Sequence, residues 1–459
     1  MRPEKGSARI LADNSAAGEV AGSSASHPTS SADILGFNPD ITIAIIVSTW
    51  PRLSQTFVLR EVLGLERLGM RLRLFSVKVP TGEPVHAEVE QVRAPVTYLA
   101  FRSSWRPILR ANLRLIRDLG WRYFRTLFRG LRYVRYGNVL HILRQFLRGA
   151  YMADLLRREP VDRIHAHFAT APASVAMFTS ELTGIPYTIA VHANDIFVKA
   201  RGRLFAAKIA RAQAIVANNE HNRQYLLARF GDDLKDKIPC IYNGLDLSQF
   251  EFRWPRSGDA APPLILAVGR LVPKKGFDDL ISAVQMLRDR GRSFRLEIIG
   301  AGPLKEQIQR QIQILRLDDR VHLLGAQAQA AVLSAYDRAS LFVLPCVITG
   351  NGDRDGIPNV LFEAMASGTP VISTTVSAIP ELVHSGDNGL LVAPGNPASL
   401  ADAIDKLLVN PELRDRLAHA ARETIETRFT LERTSRELFN LFQKLECDIC
   451  EITTNATAR

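Results

Sequence analysis

The sequence predicts an α/β protein of two Rossmann-like domains that face each other across a cleft. Three observations carry this. Short apolar runs alternate with helix-length segments along most of the 459 residues, the pattern of parallel sheets covered by helices. The alternation is interrupted at EFRWPRSGDAAPP (251–263), a polar stretch with Pro and Gly that reads as a linker, and then restarts. The length is too great for one core and suits two or three domains. In open parallel sheets, ligands bind beyond the carboxyl ends of the strands. Two facing sheets therefore place a site between the domains.

Residues 1–38 are rich in Ser, Ala and Gly, lack an apolar core of signal-peptide length, and read as a disordered leader. The first domain, 39–250, opens on ITIAIIV (41–47), a short apolar strand. Ser54 or Thr56 can cap the next helix, FVLREVLGLERLG, and LRLFSVKV (72–79) is the next strand. An Arg-rich helical insert, 101–160, follows. After it come VDRIHAHF, a helix near 171–183, PYTIAVHANDIF, AQAIVANN (212–219), a helix from about 220, and KIPCIYNGLD. The second domain, 264–429, runs PLILAVGR, helix 276–290, FRLEIIG, helix 303–315, VHLLG, helix 328–338, ASLFVLP, helix 358–367, TPVIST, GLLVAP and closing helices. Residues 430–446 read as a helix returning to the first domain, and 447–459 as a polar tail.

Four cysteines with no framework of spacings argue for a reducing cytosol. The Cys447–Cys450 pair lacks the second pair that a zinc site needs. No run approaches the ~20 apolar residues of a membrane span. Net charge is +11, and 101–160 alone hold fourteen Arg against Asp118, Asp154 and Glu159. The rest of the chain is near neutral. Arg102, Arg106, Arg110 and Arg114 recur every four residues, with Trp105, Leu113, Trp121, Phe124 and Phe128 nearby. That reads as basic amphipathic helices that either cover the sheet or dock on anionic lipid, and the aromatics favour lipid. No nucleic-acid motif accompanies the charge, so no specific nucleic acid is expected as partner.

In PLILAVGRLVPKKG (263–276), a buried strand ends in Gly269, with Arg270 and Lys275 in the loop entering a helix. Two cations beside a helix N-terminus suit phosphate oxygens better than a solvated loop does. LEIIGAGP offers Gly300 and Gly302 but has Lys305 where a dinucleotide fingerprint needs its third Gly or Ala, so a nicotinamide enzyme is not expected. Asp353-Arg354-Asp355 is formally a metal pair, but too few acids surround it for an oxygen-ligated ion. His165 and His167 in IHAHF are expected to face opposite ways and not to share an ion, one of them being packed. His192 and Asp195 sit in VHANDIF after the next strand, and His192, at the strand's carboxyl end before a polar turn, is better placed to hydrogen-bond a substrate oxygen in the cleft.

DGIPNVLFE (355–363) has an acid at each end of an apolar segment. If the middle is helical, an offset of eight is a little over two turns and the acids share a face; Pro358 suits a first turn. Both acids then either line the cleft or are merely solvated.

Together SQTFVLRE, HAHF, VHANDIF, YNGLD, VGRLVPKKG, IIGAGP, VHLLG, DGIPNVLFEAMASGTPVIST and GLLVAPG, in this order from about 41 to 430, resemble the retaining glycosyltransferases of family 4, of GT-B fold. Within that family they are most similar to bacterial exopolysaccharide enzymes of the colanic acid and amylovoran type. The resemblance implies transfer of a sugar from a nucleotide-diphosphate donor, UDP in the first instance, to a lipid-linked or polysaccharide acceptor, with retention and without metal or other cofactor. It implies that Glu363 binds ribose hydroxyls, that Asp355 meets the donor sugar, that Arg270 and Lys275 hold the diphosphate, that His192 lies near the reacting carbon, and that the backbone at Leu324 and Gly325 meets the base. Gly269, Gly300, Gly356, Ile357 and Pro358 belong to the same donor motifs. Arg52, Ser54 and Gln55 of the first strand–helix loop, with His167 and Asp195, are expected to shape the acceptor site. Two departures stand out: Asp355 replaces a family Glu, one methylene shorter, and the first loop lacks the family's paired glycines. The expected place of work is the cytoplasmic face of the membrane. The rival readings are a nucleotide-sugar epimerase or a phosphorylase on the same fold, a basic nucleic-acid binder, and a non-catalytic subunit.

Overall fold

The computed structural model describes residues 41–457 apart from 53–54, 83–85, 134–138, 200–201 and 253–261. The leader, most of the linker and Ser54 lie outside the described residues. In chain order the first half holds β1 (Thr42–Thr49), α1 (Thr56–Arg67), β2 (Arg71–Lys78), β3 (Val96–Tyr98), α2 (Phe101–Leu119), α3 (Trp121–Leu131), α4 (Val139–Arg158), β4 (Arg163–His167), α5 (Ala171–Thr183), β5 (Tyr187–Val191), α6 (Ala193–Phe197), α7 (Gly202–Arg211), β6 (Ala214–Ala217) and α8 (Glu220–Phe230). The second half holds β7 (Leu264–Val268), α9 (Phe277–Asp289), β8 (Arg295–Ile299), α10 (Lys305–Ile314), β9 (Val321–Gly325), α11 (Gln329–Arg338), β10 (Leu341–Val343), α12 (Asn359–Ala366), β11 (Val371–Thr374), α13 (Ile379–Leu382), β12 (Leu390–Val392), α14 (Pro397–Val409), α15 (Pro411–Arg428) and α16 (Leu431–Thr457).

The strands form two sheets, ordered β3-β2-β1-β4-β5-β6 and β12-β11-β10-β7-β8-β9, with parallel pairing throughout. Both are covered by helices on each face, which is why their strands read as continuous apolar runs. In β1, Ile43, Ile45 and Val47 join one core with α1 and α16, while Ala44 and Ile46 join another with α4 and α5. Alternation along the strand sends successive residues to opposite faces. A single core fills the second half.

Three expectations change. β3 is a strand that the sequence reading missed; only three residues pair with β2, too few for a visible run. KIPCIYNGLD forms no strand, only two isolated bridges, Cys240 with Ala217 and Leu245 with Thr430. The segment 447–459 is not a polar tail throughout: α16 runs on to Thr457, since Leu445, Ile449 and Ile452 continue its helical spacing. Leu438 and Phe442 of α16 are buried against the first sheet.

The Arg-rich insert is α2, α3 and α4. α2 is broken near its start, where Ser104 leaves helical geometry (φ −128°, ψ 18°) ahead of Pro107, whose ring and missing N–H disturb the preceding turn. Ile108, Ala111 and Leu115 of α2 are buried, whereas Trp105, Leu109 and Leu113 point outward with Trp121, Phe124 and Phe128 of α3.

Candidate active site

The cleft between the sheets encloses about 580 Å³, with walls from both halves of the chain. On the first-domain side, β4 ends at His167 and Phe168 takes a left-handed conformation (φ 74°), costly for a bulky residue and common at functional sites. β5 ends at Val191, and His192 caps α6, its backbone N–H donating to Asp195 Oδ1 at 2.7 Å. The His192 ring lies between Phe57 and Phe168, with centroids 4.5 and 4.6 Å away. Burial pushes its pKa down to about 3, helped by the neighbouring His167, so the ring is neutral at physiological pH. Its Nδ1 faces Asn218 Nδ2 at 3.3 Å. Its Nε2 is buried without a hydrogen-bond partner among the described residues.

On the second-domain side, β7 delivers Gly269 and Arg270 to the cleft, and a 3-10 turn, Pro273–Lys275, leads into α9. Gly276 closes that turn at φ 69°, where a Cβ would fall 1.9 Å from Pro345 O. Only glycine fits there. Lys275 Nζ lies 2.7 Å from Asp355 Oδ2; Lys274 Nζ lies 3.2 Å from Asp355 Oδ1 and 3.2 Å from Asp353 Oδ1. Both lysines are buried. Burial alone would raise the Asp355 pKa, but the two ammonium groups bring it down to about 2; Lys275 in turn is raised above its usual value, its own burial outweighed by Asp355. Arg270 is exposed and has no ion pair among the described residues.

Of the residues expected from the sequence, Arg52, Gln55, His192, Asp195, Gly269, Arg270, Lys275, Asp355, Gly356, Ile357 and Pro358 line this cavity. Gly300, Leu324, Gly325 and Glu363 do not. Gly300 (φ 151°) serves loop packing: a Cβ there would sit 1.8 Å from Gly269 O, so this Gly turn lets the loops after β7 and β8 touch. Gly325 accepts a hydrogen bond from Gly300 N at 2.8 Å. Glu363 lies behind Arg60 of α1, whose guanidinium reaches it at 3.2 Å, and Tyr336 OH donates to it at 3.4 Å.

Several expectations are corrected. Asp195 is not free to meet an acceptor: it is 2% exposed and its carboxylate accepts from Ala169 N and His192 N, holding the two strand ends together. His167 is fully buried, with Nε2 3.0 Å from Glu61 Oε1. His165 and His167 do not face opposite ways. Residues two apart on a strand share a face, and both rings lie beside Glu61, 5.0 Å apart. Asp355 and Glu363 share no helix face, because Asp355 precedes α12, and Pro358 is the N-cap rather than the first turn. Asp353 is held by Lys274 and Asn194.

The sequence reading missed Lys274, whose only signal was its place beside Lys275. It also missed the residues that join the domains. Asn194 Nδ2 donates to Asp353 Oδ1 and Asn359 Nδ2 to Thr56 Oγ1, each at 3.0 Å. Glu381 of α13 accepts from the backbone N–H groups of Glu220 and His221 at 2.8 and 2.7 Å, capping α8 from the other domain. No short motif announces such contacts, because each depends on the packing of separate loops.

Two parallel six-stranded sheets facing across a cation-lined cleft are the architecture of the GT-B glycosyltransferases. The chain superposes on the UDP complex of Anabaena Alr3699/HepE with a TM-score of 0.68 at 18% identity, covering 88% of this chain and all of that one. It superposes on a sucrose-phosphate synthase from Thermosynechococcus elongatus with a TM-score of 0.66 at 18% identity, over 89% and 100%. Residues 54–249 match the family model for Glycosyltransferase Family 4, and 248–424 match that for Glycosyl transferases group 1. The chain thus belongs to glycosyltransferase family 4. WcaL of Escherichia coli (strain K12), named as a colanic acid biosynthesis glycosyltransferase, is 28% identical over 88% of this chain and 100% of its own length. The amylovoran biosynthesis glycosyltransferase AmsK of Erwinia amylovora is 34% identical over 46% of this chain and 51% of its own.

Proposed function

We propose that this glycosyltransferase moves a sugar, with retention, from a nucleotide-diphosphate donor to a lipid-linked or polysaccharide acceptor in exopolysaccharide assembly. The observation that carries the reading is the cluster of Lys274, Lys275 and Arg270 at the carboxyl end of β7, opposite His192. The barrier in such a reaction is departure of the diphosphate from an oxocarbenium-like centre. Cations fixed in a partly buried cleft stabilise the charge that develops on the leaving oxygens, and here the ion pairs with Asp355 hold the lysines before the donor arrives. Three cations supply what a divalent ion supplies elsewhere, so the donor site works without metal. The leaving phosphate takes the acceptor proton, and neutral His192 hydrogen-bonds the donor sugar. In this reading Asp355 mainly positions the lysines, and Glu363 receives the ribose once Arg60 withdraws. The relatives named for colanic acid and amylovoran synthesis support the exopolysaccharide setting, and the UDP-bound neighbour makes a UDP-sugar the first donor to try.

No helix among the described residues is long and apolar enough to cross a membrane. The outward faces of α2 and α3 favour peripheral docking on anionic lipid. Trp105, Leu109 and Leu113 are each more than half exposed, as are Trp121 and Phe128, and arginines flank them. A soluble surface has little reason to keep such a patch.

The test is a nucleotide screen by thermal shift with UDP, GDP, ADP and UDP-sugars, without added Mg²⁺ or Mn²⁺. A shift with one nucleotide, unchanged by those ions, supports the donor reading. No shift with any of them overturns it.

A further inference from the structure

Beneath the floor of the cleft, on the first-domain side, lies a second cluster that sugar transfer does not use. α1 carries Glu61 onto the face of β4 that bears His165 and His167. Glu61 Oε1 is 3.0 Å from His167 Nε2 and 3.5 Å from His165 Nε2, and one ligand atom from each of the three lies within 4.8 Å of the others. Bonds of about 2.0–2.1 Å at tetrahedral angles put neighbouring donors about 3.3 Å apart. The two contacts bracket that spacing.

Both histidine side chains have no solvent exposure, and two of their ring nitrogens, His165 Nε2 and His167 Nδ1, have no hydrogen-bond partner among the described residues. His165 Nδ1 lies 2.7 Å from Thr188 Oγ1. This contact orients the ring and leaves Nε2 toward the carboxylate, as the outer partner of a metal-bound histidine does. A buried nitrogen that lacks a partner is costly, and an ion held by Glu61 and the two Nε2 atoms removes that cost at His165.

We propose that Glu61, His165 and His167 form a binding site for one divalent transition-metal ion of the zinc type. The donor set of two imidazoles and one carboxylate suits such an ion, and three protein ligands leave one position open. Glu61 and His192 both line a small cavity of about 30 Å³, room for at least one water. His192, whose Nε2 also lacks a hydrogen-bond partner among the described residues, borders the same small cavity. The ion fixes β4 to α1 and sets the floor on which His192 rests. It lies apart from the lysine cluster of the donor site, and its presence does not depend on the donor reading.

The experiment uses the full chain, purified without a histidine tag, stripped with a chelator and titrated with Co²⁺ and then Zn²⁺. The expected result is one Co²⁺ per chain, with visible absorption bands of a low-coordinate site that Zn²⁺ bleaches. Glu61→Gln, which keeps the side chain's shape, should weaken Co²⁺ binding at least about tenfold, since a charged ligand is lost. His419→Ala, at an exposed histidine far along the chain, should leave it unchanged. Absence of stoichiometric binding by the wild-type chain overturns the proposal. So does Co²⁺ binding that is as tight in a folded Glu61→Gln variant. The first outcome leaves Glu61 held by the 3.0 Å hydrogen bond with His167 alone.

Discussion

Lys275 and Asp355 meet through a 2.7 Å contact in the wall of the cleft, and Lys274 shares the same carboxylate. The pair joins the loop after β7 to the loop before α12. It therefore sets both the charge and the shape of the proposed phosphate site.

Replacing Lys275 by Ala should lower kcat/KM by about 100-fold or more, the size of effect expected when one fixed charge is removed from a developing anion. Lys274 still accompanies Asp355 in the variant, so the fold should persist. A folded Lys275→Ala enzyme with wild-type kcat/KM would remove the lysine from the reaction.

The same pair gives stability a pH dependence. Asp355 has a folded pKa of about 2 against an ordinary 3.8, so the folded state holds fewer protons than the unfolded one as pH falls. The contribution, about 2 kcal/mol, is fully present above pH 4 and is lost as pH falls toward 2. Melting curves of wild type and Asp355→Asn should differ most near neutral pH and converge in acid. A constant difference across that range would show that the carboxylate's charge does not matter.

Glu381→Ala should destabilise the chain by about 1–2 kcal/mol, because two backbone N–H groups at the start of α8 lose their acceptor. The loss also loosens one tie between the domains. Urea unfolding gives the first effect, and small-angle scattering of the free enzyme should show a larger radius of gyration. An unchanged scattering profile would mean that the other cross-domain contacts suffice.

Trp105→Ser combined with Trp121→Ser should weaken co-sedimentation with phosphatidylglycerol vesicles while leaving activity on a soluble acceptor intact. Replacing exposed arginines of α2 and α3 by Gln should cost about 1 kcal/mol each, an effect that fades at high salt. Equal binding to neutral phosphatidylcholine vesicles would rule out the electrostatic part.

The sheets were legible because buried parallel strands leave unbroken apolar runs, as in LILAV of β7 and AIIV of β1. Motifs placed Arg270, Lys275, Asp355 and His192 in one cavity, since each follows a strand's carboxyl end. The reading failed where contacts are made in three dimensions. Asp195 looked like a cleft acid but is spent on two backbone N–H groups. Arg60, inside the helix segment FVLREVLGLERLG, carried no signal that it crosses to Glu363. The histidines of β4 were misread through the strand period itself, and only the position of α1 reveals what they share.

α16 gives the first domain its last two core residues, Leu438 and Phe442, beside Ile43 and Ile45 of β1. A ribosome releases these partners at opposite ends of synthesis. The first sheet can pair its strands early, but one of its apolar faces waits uncovered while the entire second domain is made. The second domain, with its own core, can fold in that interval. The face that waits is then a natural landing place for chaperones, and removal of α16 should harm the domain made first.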